Sequence, residues 1–241
     1  MSILATSGRP PLVKTESLSK SYFLAKALDN VNIEIEKGII VGLLGPNGSG
    51  KSTFLKCLMG LVRPTAGRVL IEGREPDVVT KAKVAYLPEV DHLYPWMSVA
   101  ETIKFVGAFY RDWQPERVQR LLELINNVDP RVQVGRLSRG QRARLKLLLA
   151  MARSAPLVLL DEPLSGIDPP SRARILKAIV SEYEAGEQTI ILSTHEVAES
   201  ESIFDKVIFL HKGRVKMVAD AEELRQSRGT SIQAMLEEEY A

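Results

Sequence analysis

Four short runs of mainly apolar residues each have the length of a single β-strand. They are Ile39–Leu44, Leu157–Leu160, Thr189–Thr194 and Lys206–Leu210. Parallel strands that are covered by helices on both faces read as continuous apolar runs, because neither face meets water. These runs therefore predict an α/β fold with a mainly parallel sheet.

The N-terminal part of the chain shows another pattern, in which apolar and polar residues alternate. Val13–Leu18 and Leu28–Ile35 alternate in this way, and Gly67–Ile71 is similar. Alternation is typical of antiparallel strands with one exposed face. We therefore expect an antiparallel β layer at the N-terminal side of the parallel core.

A long middle segment carries apolar residues at helical spacing. The predicted helices are Val99–Tyr110, Pro115–Asn126 and Gly140–Arg153. We expect one domain over residues 1–241, in which a helical subdomain at about 89–154 is inserted into a core of about 12–88 and 155–220. Residues 221–241 are predicted to form a charged helical tail.

The composition narrows the class of protein. Hydrophobic residues make up 45% of the 241 residues and charged residues 26%, as in ordinary globular proteins. The net charge of +2 does not indicate a nucleic-acid-binding protein, and we expect no nucleic-acid partner.

The single cysteine, Cys57, has no partner for an internal disulfide. The N-terminal sequence lacks the apolar core of a signal peptide. No apolar run approaches the ~18 to 20 residues that span a bilayer, so we expect any membrane span to come from a partner.

The first apolar run leads directly into a glycine-rich loop that fits the pattern G-x-x-x-x-G-K-[ST]. Its residues are Gly45, Pro46, Asn47, Gly48, Ser49, Gly50, Lys51, Ser52 and Thr53. Glycines let successive backbone N–H groups turn toward an anion, and the following helix points its positive end at the same place. Lys51 supplies a cation for the outer phosphates, and the Ser52 hydroxyl can ligate Mg²⁺. A chance match in a turn is the alternative, but the strand before and the helix after favour an ATP site.

Two further strand ends carry candidate catalytic groups. The carboxylate of Asp161 can hold Mg²⁺, and that of Glu162 can polarise a water for attack on the γ-phosphate. The alternative is a helix-capping acid before a proline. His195 follows another strand, at the edge where parallel strands deliver ligand-binding residues, and can contact the γ-phosphate or the attacking water.

The segment Leu137-Ser138-Arg139-Gly140-Gln141 resembles the signature, usually written LSGGQ, of the nucleotide-binding domain of the ABC (ATP-binding cassette) family. The resemblance covers about residues 12–220 and includes several separate motifs in the family's order. It implies a P-loop NTPase core and a composite site, in which Ser138, Arg139, Gly140 and Gln141 contact ATP held by a second cassette, identical or different.

The resemblance also implies roles for individual residues. Tyr22 resembles the aromatic residue that stacks on adenine, and Ser165–Asp168 resembles the loop that crosses to the opposite subunit. Glu162 resembles the general base, and His195 the switch histidine. Glu89 occupies the position of a glutamine that contacts Mg²⁺ and water and senses the membrane partner.

Two residues depart from the family pattern. Glu89 is a carboxylate where the family has a neutral amide; it can still ligate Mg²⁺, but it adds negative charge near the γ-phosphate. Arg139 replaces a small glycine. It either points away from the nucleotide or adds a cation to the phosphate site.

The resemblance implies an ATPase subunit of a membrane transporter, which lies in the cytoplasm against the inner face of the membrane. Glu89 and the segment Leu93–Val99 resemble cassettes of bacterial exporters. A transmembrane permease would dock near Glu89–Phe109, where Trp96 and Phe105 would contact it. The alternative is a soluble ABC ATPase that acts on nucleic acid or the ribosome. A small-molecule P-loop kinase would leave the signature and His195 unexplained.

Overall fold

The computed structural model describes residues 10–23, 25–124, 129–228 and 232, and within them the strands form two sheets. The smaller sheet is antiparallel and has β1 at its centre. Its strands are β1 (Val13–Tyr22), β2 (Ala25–Ile35) and β4 (Ala66–Ile71). The antiparallel layer predicted from the alternating pattern is confirmed.

The larger sheet has the strand order β5-β6-β7-β3-β8-β9. Its strands are β3 (Ile40–Leu44), β5 (Val84–Leu87), β6 (Leu157–Asp161), β7 (Thr189–Thr194), β8 (Lys206–His211) and β9 (Arg214–Asp220). All neighbours pair in parallel except β8 and β9, which form an antiparallel hairpin. The mainly parallel sheet is therefore confirmed, and the four apolar runs are β3, β6, β7 and β8. The apolar pattern did not predict β5, which is short, or β9, which is an edge strand.

The helices are α1 (Lys51–Leu58), α2 (Val78–Ala82), α3 (Val99–Gly107), α4 (Pro115–Leu124), α5 (Arg139–Met151), α6 (Pro169–Glu182) and α7 (Ala221–Arg228). The three helices predicted in the middle segment correspond to α3, α4 and α5, which lie between β5 and β6 in the chain. The short α2 was not predicted. The predicted tail begins as α7, and its remainder lies outside the described residues apart from residue 232. No helix in the described ranges is both long enough and apolar enough to cross a membrane.

Each face of the large sheet is covered by its own hydrophobic core. Along β6, Val158 and Leu160 belong to the core that contains α5 and α6, whereas Leu157 and Leu159 belong to the core that contains α1 and the antiparallel sheet. All five positions of β6 are buried. This two-sided burial explains why the strand reads as a continuous apolar run.

A buried arginine just beyond α5 joins the helical segment to the edge of the large sheet. The guanidinium of Arg153 donates to the carbonyl oxygen of Val84 at 2.6 Å and to that of Ala82. It pairs with Asp112 at 3.0 Å and lies 3.9 Å from the centre of the Tyr110 ring. The side chain is 3% exposed. One cation therefore satisfies backbone groups around the start of β5 and contacts side chains that follow α3, two separate parts of the chain.

Replacement of this cation should destabilise the protein. We expect Arg153→Met to lower the free energy of unfolding by about 3 kcal/mol, because buried carbonyl groups and Asp112 lose their partner. Chemical denaturation of the purified protein measures this change. Arg111→Met, at an exposed arginine nearby in the chain, is the control and should change the value by less than about 0.5 kcal/mol. Equal effects of the two substitutions would contradict the structural role of Arg153.

Candidate active site

Three parallel strands end at the same edge of the large sheet and deliver the candidate groups there. β3 leads into the glycine-rich loop, β6 ends at Asp161 and is followed by Glu162, and β7 is followed by His195. In the register of the sheet, Leu44 lies beside Thr194 and Asp161 lies beside Ser193. Ligand-binding residues of α/β proteins commonly lie at this edge.

The glycine-rich loop folds around the ammonium group of Lys51. Its Nζ donates to the carbonyl oxygens of Gly45 at 2.7 Å and Pro46 at 3.2 Å. Gly48 and Gly50 have φ of +79° and +109°, a region that other residues rarely adopt. Lys51 is the first residue of α1, so the positive end of that helix faces the loop. The arrangement has the features of an anion-binding nest.

A cleft of about 400 Å³ opens over this loop. Its walls are formed by Tyr22, Ala27, Asn47, Gly48, Ser49, Gly50, Lys51, Ser52, Thr53, Glu89 and Glu162. The buried hydroxyl of Ser49 has no hydrogen-bond partner within the described residues. Buried polar groups are usually paired, and a phosphate oxygen would supply the missing acceptor. The cleft therefore suits a ligand that carries phosphate groups.

Asp161 is held beside Ser52 by three hydroxyl groups. Its Oδ1 accepts hydrogen bonds from Ser52 Oγ at 3.0 Å and Ser193 Oγ at 2.8 Å, and its Oδ2 accepts one from Tyr86 at 3.3 Å. Burial raises the pKa of Tyr86, and the charge of Asp161 raises it further, so the phenol stays protonated and donates. A hydroxyl and a carboxylate oxygen in contact are suitable ligands for Mg²⁺.

The carboxylate of Glu162 lies between two nitrogen atoms. Its Oε1 is 3.1 Å from Lys51 Nζ, and its Oε2 is 2.9 Å from His195 Nδ1. The side chains of Lys51 and Glu162 are only 5% and 6% exposed. The φ of Glu162 is +49°, an unfavourable conformation for a glutamate, and its backbone N–H donates to Ser193 Oγ at 2.9 Å. Backbone strain of this kind is typical of functional sites.

Sequence reasoning missed Ser193 and Tyr86. Ser193 joins Asp161 to the backbone of Glu162, and Tyr86 binds the second oxygen of Asp161. A polar residue inside the apolar run of β7 was the available signal for Ser193. Nothing in the sequence alone indicated Tyr86, because its partner lies on a neighbouring strand.

Glu89 lies in the wall of the cleft with an exposed side chain. Lys146 of α5 donates to its carbonyl oxygen at 2.9 Å. Burial lowers the pKa of Lys146, and the carboxylates of Asp91, Glu89 and Asp161 oppose that shift. Tyr22 also lines the cleft, at the end of β1, with Lys20 Nζ 4.9 Å from the centre of its ring.

The signature segment does not line the cleft of its own chain. Ser138 caps α5: its Oγ accepts from the backbone N–H of Gln141 at 3.2 Å, and its own N–H donates to Gln141 Oε1 at 2.8 Å. The guanidinium of Arg139 lies against Gly166, where a Cβ atom would stand 2.2 Å from Arg139 Cζ. Gly140 packs near Ser171 and has no positive φ. Arg139 therefore lies outside the cleft of its own chain, and its orientation toward ATP held by a second cassette stays a prediction.

Comparison with known proteins identifies the family. A family model described as "ABC transporter" matches residues 28–165, more than half of the chain. The chain belongs to the ABC transporter family. It is therefore an ATP-binding and ATP-hydrolysing transporter subunit, and its P-loop fold class is as predicted.

Two curated relatives are similar over most of this ABC cassette. The SkfA peptide export ATP-binding protein SkfE of Bacillus subtilis (strain 168) is 35% identical over 209 residues, covering 85% of this chain and 87% of the relative. The lantibiotic transport ATP-binding protein SrtF of Streptococcus pyogenes is 33% identical over 205 residues, covering 85% and 89%. Both are transport proteins, which favours the transporter interpretation over a soluble protein acting on nucleic acid.

Solved structures share the fold of the cassette. An ATP-binding subunit of an ABC transporter matches with a TM-score of 0.82 and 28% identity, covering 95% of this chain and all of the other. A dimeric ATP-binding cassette in a post-hydrolysis state, bound to ADP and Pi, matches with a TM-score of 0.76 and 25% identity, covering 87% and 98%. The second structure is consistent with ATPase activity in this family.

The glycines of the loop allow a test of the packing that shapes the cleft. A Cβ on Gly50 would stand 2.4 Å from the carbonyl oxygen of Ala27, whereas a Cβ on Gly48 would meet nothing within 4 Å. Both residues have positive φ, so alanine at either position adds backbone strain of about 1 kcal/mol. We expect Gly50→Ala to lower the free energy of unfolding by about 2 kcal/mol more than Gly48→Ala, because only Gly50→Ala creates a clash. Denaturant titration of both variants checks this, and equal losses would contradict it.

Proposed function

We propose that this cassette hydrolyses ATP in the cleft above the glycine-rich loop, with Glu162 as the general base. The observation that carries the proposal is the position of the Glu162 carboxylate, 3.1 Å from Lys51 Nζ and 2.9 Å from His195 Nδ1. A base in this position takes a proton from a water whose oxygen bonds to the γ-phosphorus. The bond from that phosphorus to the β–γ bridging oxygen breaks as ADP leaves.

The neighbouring side chains support this chemistry by orientation and charge. Lys51 is anchored by the carbonyl oxygens of its own loop, so its ammonium stays at the floor of the cleft, where the outer phosphates bind. His195 holds one oxygen of Glu162, which orients the other toward the cleft. Backbone N–H groups from Asn47 to Thr53 and the Ser49 hydroxyl bind the phosphate oxygens. Tyr22 provides an aromatic face for adenine.

Mg²⁺ fits the oxygen atoms that the cleft presents. Ser52 and Asp161 would hold the ion, and Glu89, which also lines the cleft, would contribute. When bound, the ion neutralises charge on the phosphate oxygens and so favours nucleophilic attack. The hydroxyls of Ser193 and Tyr86 keep Asp161 in place for this role.

A second cassette, identical or different, would complete the site. The first turn of α5, with Ser138, Arg139, Gly140 and Gln141, lies outside the cleft of its own chain. The N-terminal end of a helix carries partial positive charge and unpaired N–H groups, which suit a phosphate on another molecule. The dimeric form of a structurally similar cassette supports this arrangement. In such a head-to-tail dimer, ATP would lie between the glycine-rich loop of one chain and the signature segment of the other.

Glu162→Gln tests the proposed base. We expect the variant to keep ATP binding, to lose at least about 10²-fold in kcat, and to accumulate as an ATP-bound dimer, because the amide accepts no proton from water. Phosphate release measures turnover, and size-exclusion chromatography with and without ATP measures the dimer. The control is Glu116→Gln, at an exposed glutamate of α4, which should behave like the parent. Hydrolysis at the parental rate by Glu162→Gln would refute the assignment.

A transmembrane permease of the exporter type is the proposed partner, and an exposed aromatic surface is its proposed docking site. This aromatic surface consists of Tyr94, Trp96, Phe105 and Phe109. Tyr94 lies 4.9 Å from Trp96 and 5.9 Å from Phe105 between ring centres, and Phe105 lies 5.0 Å from Phe109. Trp96 and Phe109 are 65% and 68% exposed. Clustered exposed apolar groups mark interaction sites, and docking here places the cassette on the inner face of the membrane.

Trp96→Ala tests this docking site. We expect much weaker co-purification with the transmembrane permease, because large aromatic residues dominate interface energies. Phe23→Ala, at a fully exposed aromatic residue outside the aromatic surface, is the control and should leave co-purification unchanged. Unchanged co-purification of Trp96→Ala would place the interface elsewhere.

A further inference from the structure

The segment Glu89–Asp91, which contributes Glu89 to the wall of the cleft, is fastened to α5 by two cationic side chains. Lys146 Nζ donates to the carbonyl oxygens of Glu89 at 2.9 Å and Val90 at 3.1 Å. One helical turn earlier, Arg142 Nη1 pairs with Asp91 Oδ2 at 2.6 Å. Residues four apart on a helix lie on the same face, so one face of α5 holds the whole segment.

The cleft wall carries two carboxylates, those of Glu89 and Glu162, and a third, that of Asp161, accepts a hydrogen bond from Ser52 of the same wall. The proposed ligand is itself a polyanion. Lys51 lies within 3.1 Å of Glu162, so its charge is already engaged there. Lys146 is the cation whose ammonium contacts the backbone of Glu89 itself. Its electrostatic partners among the described residues include Glu89, Asp91 and Asp161.

We propose that Lys146 is a positioning residue that fixes the Glu89 segment and offsets the charge of the Glu89 side chain toward the bound nucleotide. The inference rests on the proposed function, since it places the γ-phosphate in this cleft. Its physical basis is that the Lys146 ammonium is held by the carbonyl oxygens of Glu89 and Val90 and interacts electrostatically with the Glu89 carboxylate. An ammonium group anchored on the Glu89 backbone lowers the electrostatic cost of a carboxylate near phosphate. A neutral side chain at position 89 needs no such cation.

A double-mutant cycle between Lys146 and Glu89 tests this pairing. The variants are Lys146→Met, Glu89→Gln and the double substitution, and the probe is a non-hydrolysable ATP analogue with Mg²⁺. We expect Lys146→Met alone to weaken binding about tenfold, because the phosphates share the bound Mg²⁺ with Glu89 and the loss of Lys146 leaves the Glu89 charge less compensated. In the Glu89→Gln background, the same change should weaken binding by less than about twofold. Calorimetry measures Kd, and the ratio kcat/KM for ATP should follow the same pattern.

Two further substitutions separate charge from simple anchoring. Lys146→Arg keeps a cation that can donate to both carbonyl oxygens, so it should restore most of the affinity lost in Lys146→Met. Arg142→Gln is the matched control and removes the contact with Asp91. Its effect on the Kd for the ATP analogue should be the same whether residue 89 is Glu or Gln. Denaturant unfolding of each variant verifies that the fold is retained.

The outcomes distinguish this inference from the proposed function. If Lys146→Met weakens ATP-analogue binding equally with Glu and with Gln at position 89, the charge pairing is overturned. This holds even if Glu162→Gln abolishes turnover as proposed. Conversely, a Glu162→Gln variant that hydrolyses ATP normally would refute the proposed base, while a strong coupling between Lys146 and Glu89 would still support the pairing.

Discussion

Strands β3, β6 and β7 lie side by side in the same direction, and every functional group of the cleft floor depends on that pairing. Their carboxyl ends meet at one edge, which brings the glycine-rich loop, the acidic pair and His195 together from distant parts of the chain. Parallel strands need long crossover connections, and here those connections carry the helices that bury both faces of the sheet. The parallel pairing of these strands therefore determines both the buried core and the position of the site.

The cleft concentrates charge where little solvent reaches it, and the structure offsets that cost with specific partners. Asp161 is bound by three hydroxyl groups, and Glu162 contacts one ammonium and one imidazole. Buried charges are tolerated only when they are paired and hydrogen-bonded. Ser193 on β7 donates to Asp161 and accepts the backbone N–H of Glu162. The neighbouring strand therefore stabilises the unfavourable backbone conformation of Glu162. The two acids of the site are therefore held by partners on neighbouring strands.

Helix α5 links this rigid site to the surfaces on which partners are proposed to bind. Ser138 and Arg139 at its start are exposed, and its middle holds the Glu89–Asp91 segment, which contributes Glu89 to the cleft. Beyond its end, Arg153 fastens it to β5. A shift of α5 would therefore move the signature turn and the Glu89 wall together. This geometry would connect the proposed permease contact to the proposed nucleotide site.

The sequence by itself determined the features that depend on local order. Continuous apolar runs specified β3, β6, β7 and β8, helical spacing specified α3, α4 and α5, and the glycine pattern with Lys51 specified a phosphate loop. Only the tertiary structure decided which groups meet across strands: Ser193 and Tyr86 on Asp161, Lys146 on the Glu89 backbone, and Arg139 on Gly166. It also decided that the signature turn lies outside its own cleft. The physical reason is that the periodicity of apolar residues indicates only which face of a helix or strand is buried. The contacts named above join residues far apart in the sequence, and strand register and helix packing decide which of them meet.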